Sequence, residues 1–160
     1  MKKLIIILSL GLLSISHSVT AADWRNTASA NDKINNLIQV MPGASVIMLQ
    51  MGERYRNLYW AGKQGKWKFA EYQIEEMQDL IQALMITRPK RAKTANKFML
   101  TAFNLFPEAI EKQSWQKFSV AFKNMHKQCM ICHIENNHSF IVLPIKPRMG
   151  NSPVLETSSQ

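Results

Sequence analysis

An all-α fold, an antiparallel four-helix bundle, follows from three features of this 160-residue sequence. Four segments between Gly43 and His133 repeat apolar residues three and four apart, the spacing that gathers them on one helix face. Short connections marked by Gly, Pro and charged residues separate these segments, and short connections make successive helices antiparallel neighbours. No alternation of apolar and polar residues competes for a strand; only Phe140-Ile141-Val142-Leu143, bounded by Pro144, reads as extended.

Taken in order, residues 1–22 read as a secretory signal. Lys2-Lys3 supply the charged start, Leu4 to Leu13 the apolar run, and Val19-Thr20-Ala21-Ala22 small residues for cleavage. The run is shorter than the ~20 residues a membrane span needs, so a cleaved leader and a periplasmic mature chain are expected. Residues 23–41 form a polar N-terminal extension whose weak rhythm, Ile34, Leu37 and Ile38, suggests at most a short helix.

The bundle is expected over residues 42–147. Pro42 suits a first helical turn, and Met48, Met51, Tyr55 and Leu58 follow at helical spacing until Gly62 and Gly65 mark the end and the turn, giving a first bundle helix at about 43–62. A second runs from about Lys66 to Thr87 with Trp67, Ala70, Ile74, Met77, Ile81 and Leu84 in one stripe; Arg88-Pro89 ends it, since a residue before proline is pushed out of the helical region. After the basic loop Lys90-Arg91-Ala92-Lys93, a third carries Phe98, Ala102, Leu105 and Ala109. Pro107 either kinks it or opens a separate segment capped by Asn104. Ser114 is the expected N-cap of the fourth, whose stripe Trp115, Phe118, Phe122, Met125, Cys129 and Cys132 runs into a cysteine–histidine motif. Residues 148–160, rich in Gly, Asn, Ser, Thr and Pro, read as a flexible C-terminal tail.

That motif, Cys129-Met130-Ile131-Cys132-His133, has the spacing of a c-type haem attachment site. Each thiol can add to one vinyl group of the porphyrin, and the adjacent imidazole then lies under the ring, where its nitrogen can bind iron. On a helix, positions i, i+3 and i+4 share one face, so Cys129, Cys132 and His133 converge without special backbone geometry. A disulfide, half a zinc site or a redox thiol pair are the competing readings. Zinc usually wants four grouped Cys or His ligands, and only His126 and His138 could join. A redox pair draws on a helix N-terminus to favour its thiolate, whereas this motif sits near a helix C-terminus. The expectation is one covalent haem c near the end of the fourth helix, with His133 as an iron ligand.

In an up-down-up-down bundle the first helix starts beside the end of the fourth, so its early residues face the ring opposite His133. Gly43-Ala44-Ser45 are small enough to admit a flat ring between helices that otherwise pack about 8–10 Å apart. Met48 lies about a turn further in and Met51 next on the stripe. Either sulfur could be the sixth iron ligand, and a Met opposite a His favours electron transfer. The site is read with Met48 as the distal ligand; Met51 and an open distal position are the alternatives. His126 is two turns from His133 on the same helix, so the pair cannot clamp one iron. His138 could approach the iron or a propionate.

With its motif on the last of four helices, the chain resembles the cytochrome c′ family. It is similar also to small exported cytochrome-like proteins with an aromatic Ala-Gly turn and a Trp-Xaa-Xaa-Ala-Xaa-Tyr segment, here Leu58-Tyr59-Trp60-Ala61-Gly62 and Trp67-Lys68-Phe69-Ala70-Glu71-Tyr72. The resemblance covers about residues 41–147 and implies a bundle cytochrome, often dimeric, so a homodimer is a further expectation. The aromatic segments themselves are read as bundle core.

The function expected is that of an electron carrier. The alternative is a high-spin, five-coordinate protein that binds nitric oxide or another small gas. No acid–base residue sits over the distal face, Glu53 and Arg54 lying too far along the helix and off its inner stripe, so an enzyme is not expected. The formal charge of +9 falls to +7 without Lys2 and Lys3. No Arg-rich run with interleaved aromatics points to nucleic acid. A redox partner with an acidic docking face, and a weak contact with an anionic membrane surface, fit this charge better. In the expected bundle, Arg88 to Lys93 and Lys97 lie at the haem end and would meet that partner.

Overall fold

The computed structural model describes residues 23–150 and 152–156; the expected signal sequence, residues 1–22, lies outside the described residues. These described residues form an all-α structure without strands. The helices are α1 (Trp24–Thr27), α2 (Ala30–Val40), α3 (Ala44–Lys63), α4 (Trp67–Thr87), α5 (Ala92–Ala102), α6 (Phe106–Glu111), α7 (Trp115–Glu135) and α8 (Pro153–Glu156), with a 3₁₀ turn at Pro89–Arg91.

The chain divides into two units between Val40 and Met41, one residue from the boundary expected from sequence. In the first unit α2 is longer than its weak apolar rhythm suggested. Ser29 explains the difference: its Oγ accepts from the Asp32 N–H at 3.2 Å and donates to the Asp32 carboxylate at 2.7 Å, satisfying an end that would otherwise fray. Ile34, Leu37 and Ile38 are exposed.

In the second unit the apolar stripes become the core. Met51, Tyr55 and Leu58 of α3, Ala70, Ile74, Met77, Ile81 and Leu84 of α4, Phe98 and Ala102 of α5, and Phe118, Phe122 and Met125 of α7 are buried. α3 packs on α4, α4 on α5, α5 on α7 and α7 on α3, while α6 lies against α7 and α4. The aromatic segments belong to this core: Tyr59 meets Phe122 edge-on at 5.1 Å, and Trp67 meets Phe118 at 6.0 Å. Pro107 opens the separate helix α6 rather than kinking α5, with Leu105 instead of Asn104 at the cap position. Because α5 ends at Ala102, Leu105 leaves the expected stripe and is exposed.

Three helix ends share one device. After α3, α6 and α7, a residue with positive φ, Gly65 (72°), Gln113 (48°) and Asn137 (61°), reverses the chain. The next N–H then returns to a carbonyl five residues earlier: Lys66 to Ala61, Ser114 to Ala109 and His138 to His133. These turns keep the connections short.

The C-terminal segment departs from the expected loose tail. Leu155 is buried, and its carbonyl accepts from Gln64 Nε2 at 3.1 Å, while Lys66 donates to the Val154 carbonyl. A single well-placed Leu supplies an anchor that composition alone hides.

Where α3 meets α7, a Cβ on Gly62 would fall 2.2–2.6 Å from three ring carbons of Phe118, a ring that is fully buried. Gly62→Ala should therefore destabilise by about 1–3 kcal/mol through overpacking. Adding Phe118→Leu should recover part of that loss, as read from urea denaturation midpoints. Equal stability of Gly62→Ala and the parent would show that the helices can separate freely here.

Candidate functional site

Helix α7 carries Cys129, Cys132 and His133. Ser114 starts it, accepting from the Lys117 N–H at 3.3 Å, and Asn136 and Asn137 end it. Cys129 is buried and Cys132 half-buried, and both are free thiols. A polar network fixes the α7 end: Asn136 Nδ2 donates to the Cys132 carbonyl at 2.8 Å and to Thr94 Oγ1 at 2.9 Å, and its Oδ1 accepts from Arg91 at 3.2 Å.

Beyond Asn137 the chain runs back along the bundle as a strap, residues 138–148, which contains the stretch expected to be extended, residues 140–143. The described residues of the strap form no strand, so side chains serve its carbonyls. His133 Nδ1 donates to Ile141 O at 3.0 Å, His126 Nε2 to Leu143 O at 2.9 Å, Tyr55 Oη to Pro144 O at 2.7 Å, and Trp60 Nε1 to Pro147 O at 3.0 Å. A carbonyl can only accept, so His133 carries its hydrogen on Nδ1 in this bond and keeps a lone pair on Nε2.

Under the strap lies an apolar cleft of about 120 Å³. Met48, Met51, Gly52 and Tyr55 of α3 line it, with Met77, Ile81 and Leu84 of α4, Phe98 of α5, the three motif residues, and Ile141 and Leu143 of the strap. Both methionines proposed from sequence thus share a cleft with His133, Met51 buried and Met48 half-buried. A Cβ on Gly52 would meet nothing within 4 Å, so the α3 wall leaves open space there. At one end the cleft continues into a mainly apolar recess that Cys132 and His133 line together with Met48, Leu84, Arg91 and Asn136. At the other it opens between α3 and the strap, where Arg56, Lys146 and Arg148 gather and neither cysteine is present.

The remaining candidates sort by these contacts. His126 holds the strap. His138 donates to the Asn136 carbonyl, stacks on Phe140 and lines the Cys132 recess. Glu53 pairs with Arg56, and Arg54 turns to α4, bonding Glu76 at 2.9 Å. The basic loop packs beside the end of α7, where Lys97 pairs with Glu135 and leaves Lys90 and Lys93 exposed. Sequence reasoning placed Tyr55 on the inward stripe without giving it a part in the site, and it missed Asn136 and Asn137. The Asn-Asn pair after an apolar helix was a usable signal for a helix end.

Burial pushes the Cys129 thiol up to about 12, with Cys132 adding to the rise. Cys132 is also raised by burial, partly offset by Thr94 and Arg91. Both thiols therefore stay neutral near pH 7, unlike a redox pair that works as a thiolate. Among the described residues no group of three or more His, Cys, Asp or Glu side chains is arranged around a bare metal ion.

A raised thiol pKa makes stability depend on pH. The unfolded chain loses the Cys129 proton near its ordinary value of 9.0, the folded chain only near 12, so the unfolded state binds fewer protons in between. The stabilisation is complete below pH 9 and falls as pH rises toward 12. Buried Tyr55, also raised, adds to the fall above pH 10. On the reduced thiol form, the urea midpoint should drop between about pH 8 and about pH 10.5, with Cys129→Ala showing a shallower drop. Identical slopes for the two chains would contradict the burial of Cys129.

No protein-family model, curated protein or solved structure matches this chain.

Proposed function

We propose that the chain is an exported, periplasmic c-type cytochrome of the cytochrome c′ kind. In this reading α3, α4, α5 and α7 form an antiparallel four-helix bundle that binds one covalent haem and carries electrons. The observation that carries the proposal is the bond from His133 Nδ1 to Ile141 O. It orients the imidazole and leaves its Nε2 lone pair for iron, the arrangement that supports metal-ligating histidines generally. Two free neutral thiols lie one turn apart beside it, and both line the same apolar cleft. The open space at Gly52 suits a flat ring. Antiparallel packing draws support from Lys97 and Thr94 near the start of α5 meeting Glu135 and Asn136 at the end of α7, while Thr101 meets Asn124 further back.

Haem iron, when bound, supplies one-electron chemistry. In attachment, each cysteine Sγ bonds to one vinyl carbon and its proton ends on the other, with no net oxidation. Cys129 and Cys132 would hold the ring through their sulfurs, and His133 Nε2 and the Met48 sulfur would be available to its iron. The apolar walls exclude water and favour the neutral methionine. A His/Met pair suits electron transfer better than gas capture.

The protein produced with its signal sequence in a host that matures c-type haem should keep its haem through acidified acetone. Cys129→Ala with Cys132→Ala should carry none. Haem that washes out, or a wild type without haem, would refute the assignment. Met48→Ala should then abolish the long-wavelength ferric band of a sulfur–iron bond and turn the iron high-spin. A wild type already high-spin would favour the gas-binding alternative, and a band surviving in Met48→Ala would move the ligand to Met51.

The partner we assign has an acidic docking face. Lys90 and Lys93, exposed on the loop beside the α7 end, would steer it toward the haem edge. Such charges act on association rate and are screened by salt, the Debye length falling from ~10 Å at 0.1 M to ~3 Å at 1 M. Lys90→Gln with Lys93→Gln should slow electron exchange with an acidic redox protein at low salt and leave the haem spectrum unchanged. Equal rates at low ionic strength would remove the loop from docking.

A further inference from the structure

Resting on the haem reading, we infer that Lys146 and Arg148 of the strap hold the two propionate carboxylates of the ring. Haem carries its vinyl groups and its propionates on opposite edges, so the cysteines mark which end of the cleft receives which edge. Cys132 and His133 line the recess at one end, whereas the opposite opening, reached past Met48, Gly52, Tyr55 and Leu143, contains neither cysteine. The propionate edge therefore belongs at that opening.

The charge there fits. Arg56, Lys146, Arg148 and Glu53 line it, and Arg56 pairs with Glu53. Lys146 and Arg148 have no carboxylate within ion-pair distance among the described residues, which leaves two positive charges for two propionates. Their position is set from below: the Tyr55 hydroxyl bonds the Pro144 carbonyl and the Trp60 indole the Pro147 carbonyl, pinning the strap before Lys146 and between the two cations. Pro144 and Pro147 fix φ on this stretch. Arg91, the cation of the opposite recess, is tied to Asn136 beside Cys132 at the thioether edge.

The test compares the holoprotein with Lys146→Gln/Arg148→Gln, each single variant, and Arg91→Gln. Removing positive charge beside the ring favours the oxidised state, so the double variant should shift its oxidation equilibrium about tenfold, a fall of ~59 mV in midpoint potential for one electron. The resonance Raman bending band of the propionates should move with it. Each single variant should show a part of both effects, Lys146→Arg should restore them, and Arg91→Gln should leave the propionate band in place. Wild-type potential and band in the double variant, or a band that moves only in Arg91→Gln, would overturn the assignment while the haem reading stands. A wild type without covalent haem would overturn both.

Discussion

The structure around the cleft depends on carbonyl groups that have no backbone donors to meet them. A strap that belongs to no helix or sheet finds its hydrogen bonds elsewhere, each worth about 0.5–1.5 kcal/mol net. Two histidines, a tyrosine and a tryptophan supply those bonds from α7 and α3. The need of the strap for a donor at Ile141 and the need of His133 for a fixed tautomer are thus met by the same bond. In the proposed cytochrome, fold stability and iron ligation would share that atom pair.

How far this was legible in the sequence differs by element. The stripes of α3, α4 and α7 stand out because each buries one face, and Ser114 announces a helix start, whereas Pro107 left a kink and a new helix equally open. Cys129, Cys132 and His133 are legible as a spacing on one helix, and Met48 and Met51 as members of an inward stripe that the structure brings to the same cleft. The strap was read only as an extended stretch. Its bonds join Tyr55 and Trp60 to residues 89 and 87 positions away, and no local pattern encodes such partners. The anchor at Leu155 was hidden for a related reason, since one buried Leu does not show in a polar composition. The length of α2 was recoverable from Ser29 and Asp32, a capping pair that the weak apolar rhythm obscured.

The same small residues act in opposite senses on α3. Gly62 is required because Phe118 fills the space a methyl would take, whereas Gly52 faces space that nothing in the chain fills. A mid-helix glycine gives up about 1 kcal/mol of helix propensity relative to alanine. At Gly62 close packing compensates. At Gly52 the chain alone offers no compensation, which is what a wall shaped for a ring would show. The neutral, buried Cys129 thiol in the cleft fits this pattern, since it adds no charge to an apolar interior.

The strap also sets an order of assembly. Its bonds from His133 and His126 close short stretches of 8 and 17 residues, while those from Tyr55 and Trp60 close stretches of 89 and 87. For a free chain, going from the shortest of these loops to the longest adds about 2 kcal/mol of closure entropy, so the hinge at Asn137 can form with α7 while the far end waits for α3 to dock. By the same measure the far end of the strap closes after its hinge, alongside the Leu155 anchor, whose bond to Gln64 spans 91 residues. The place of the strap after the cysteine–histidine motif leaves the cleft accessible through most of folding, and closure seals from the C-terminal side whatever the helices have already enclosed.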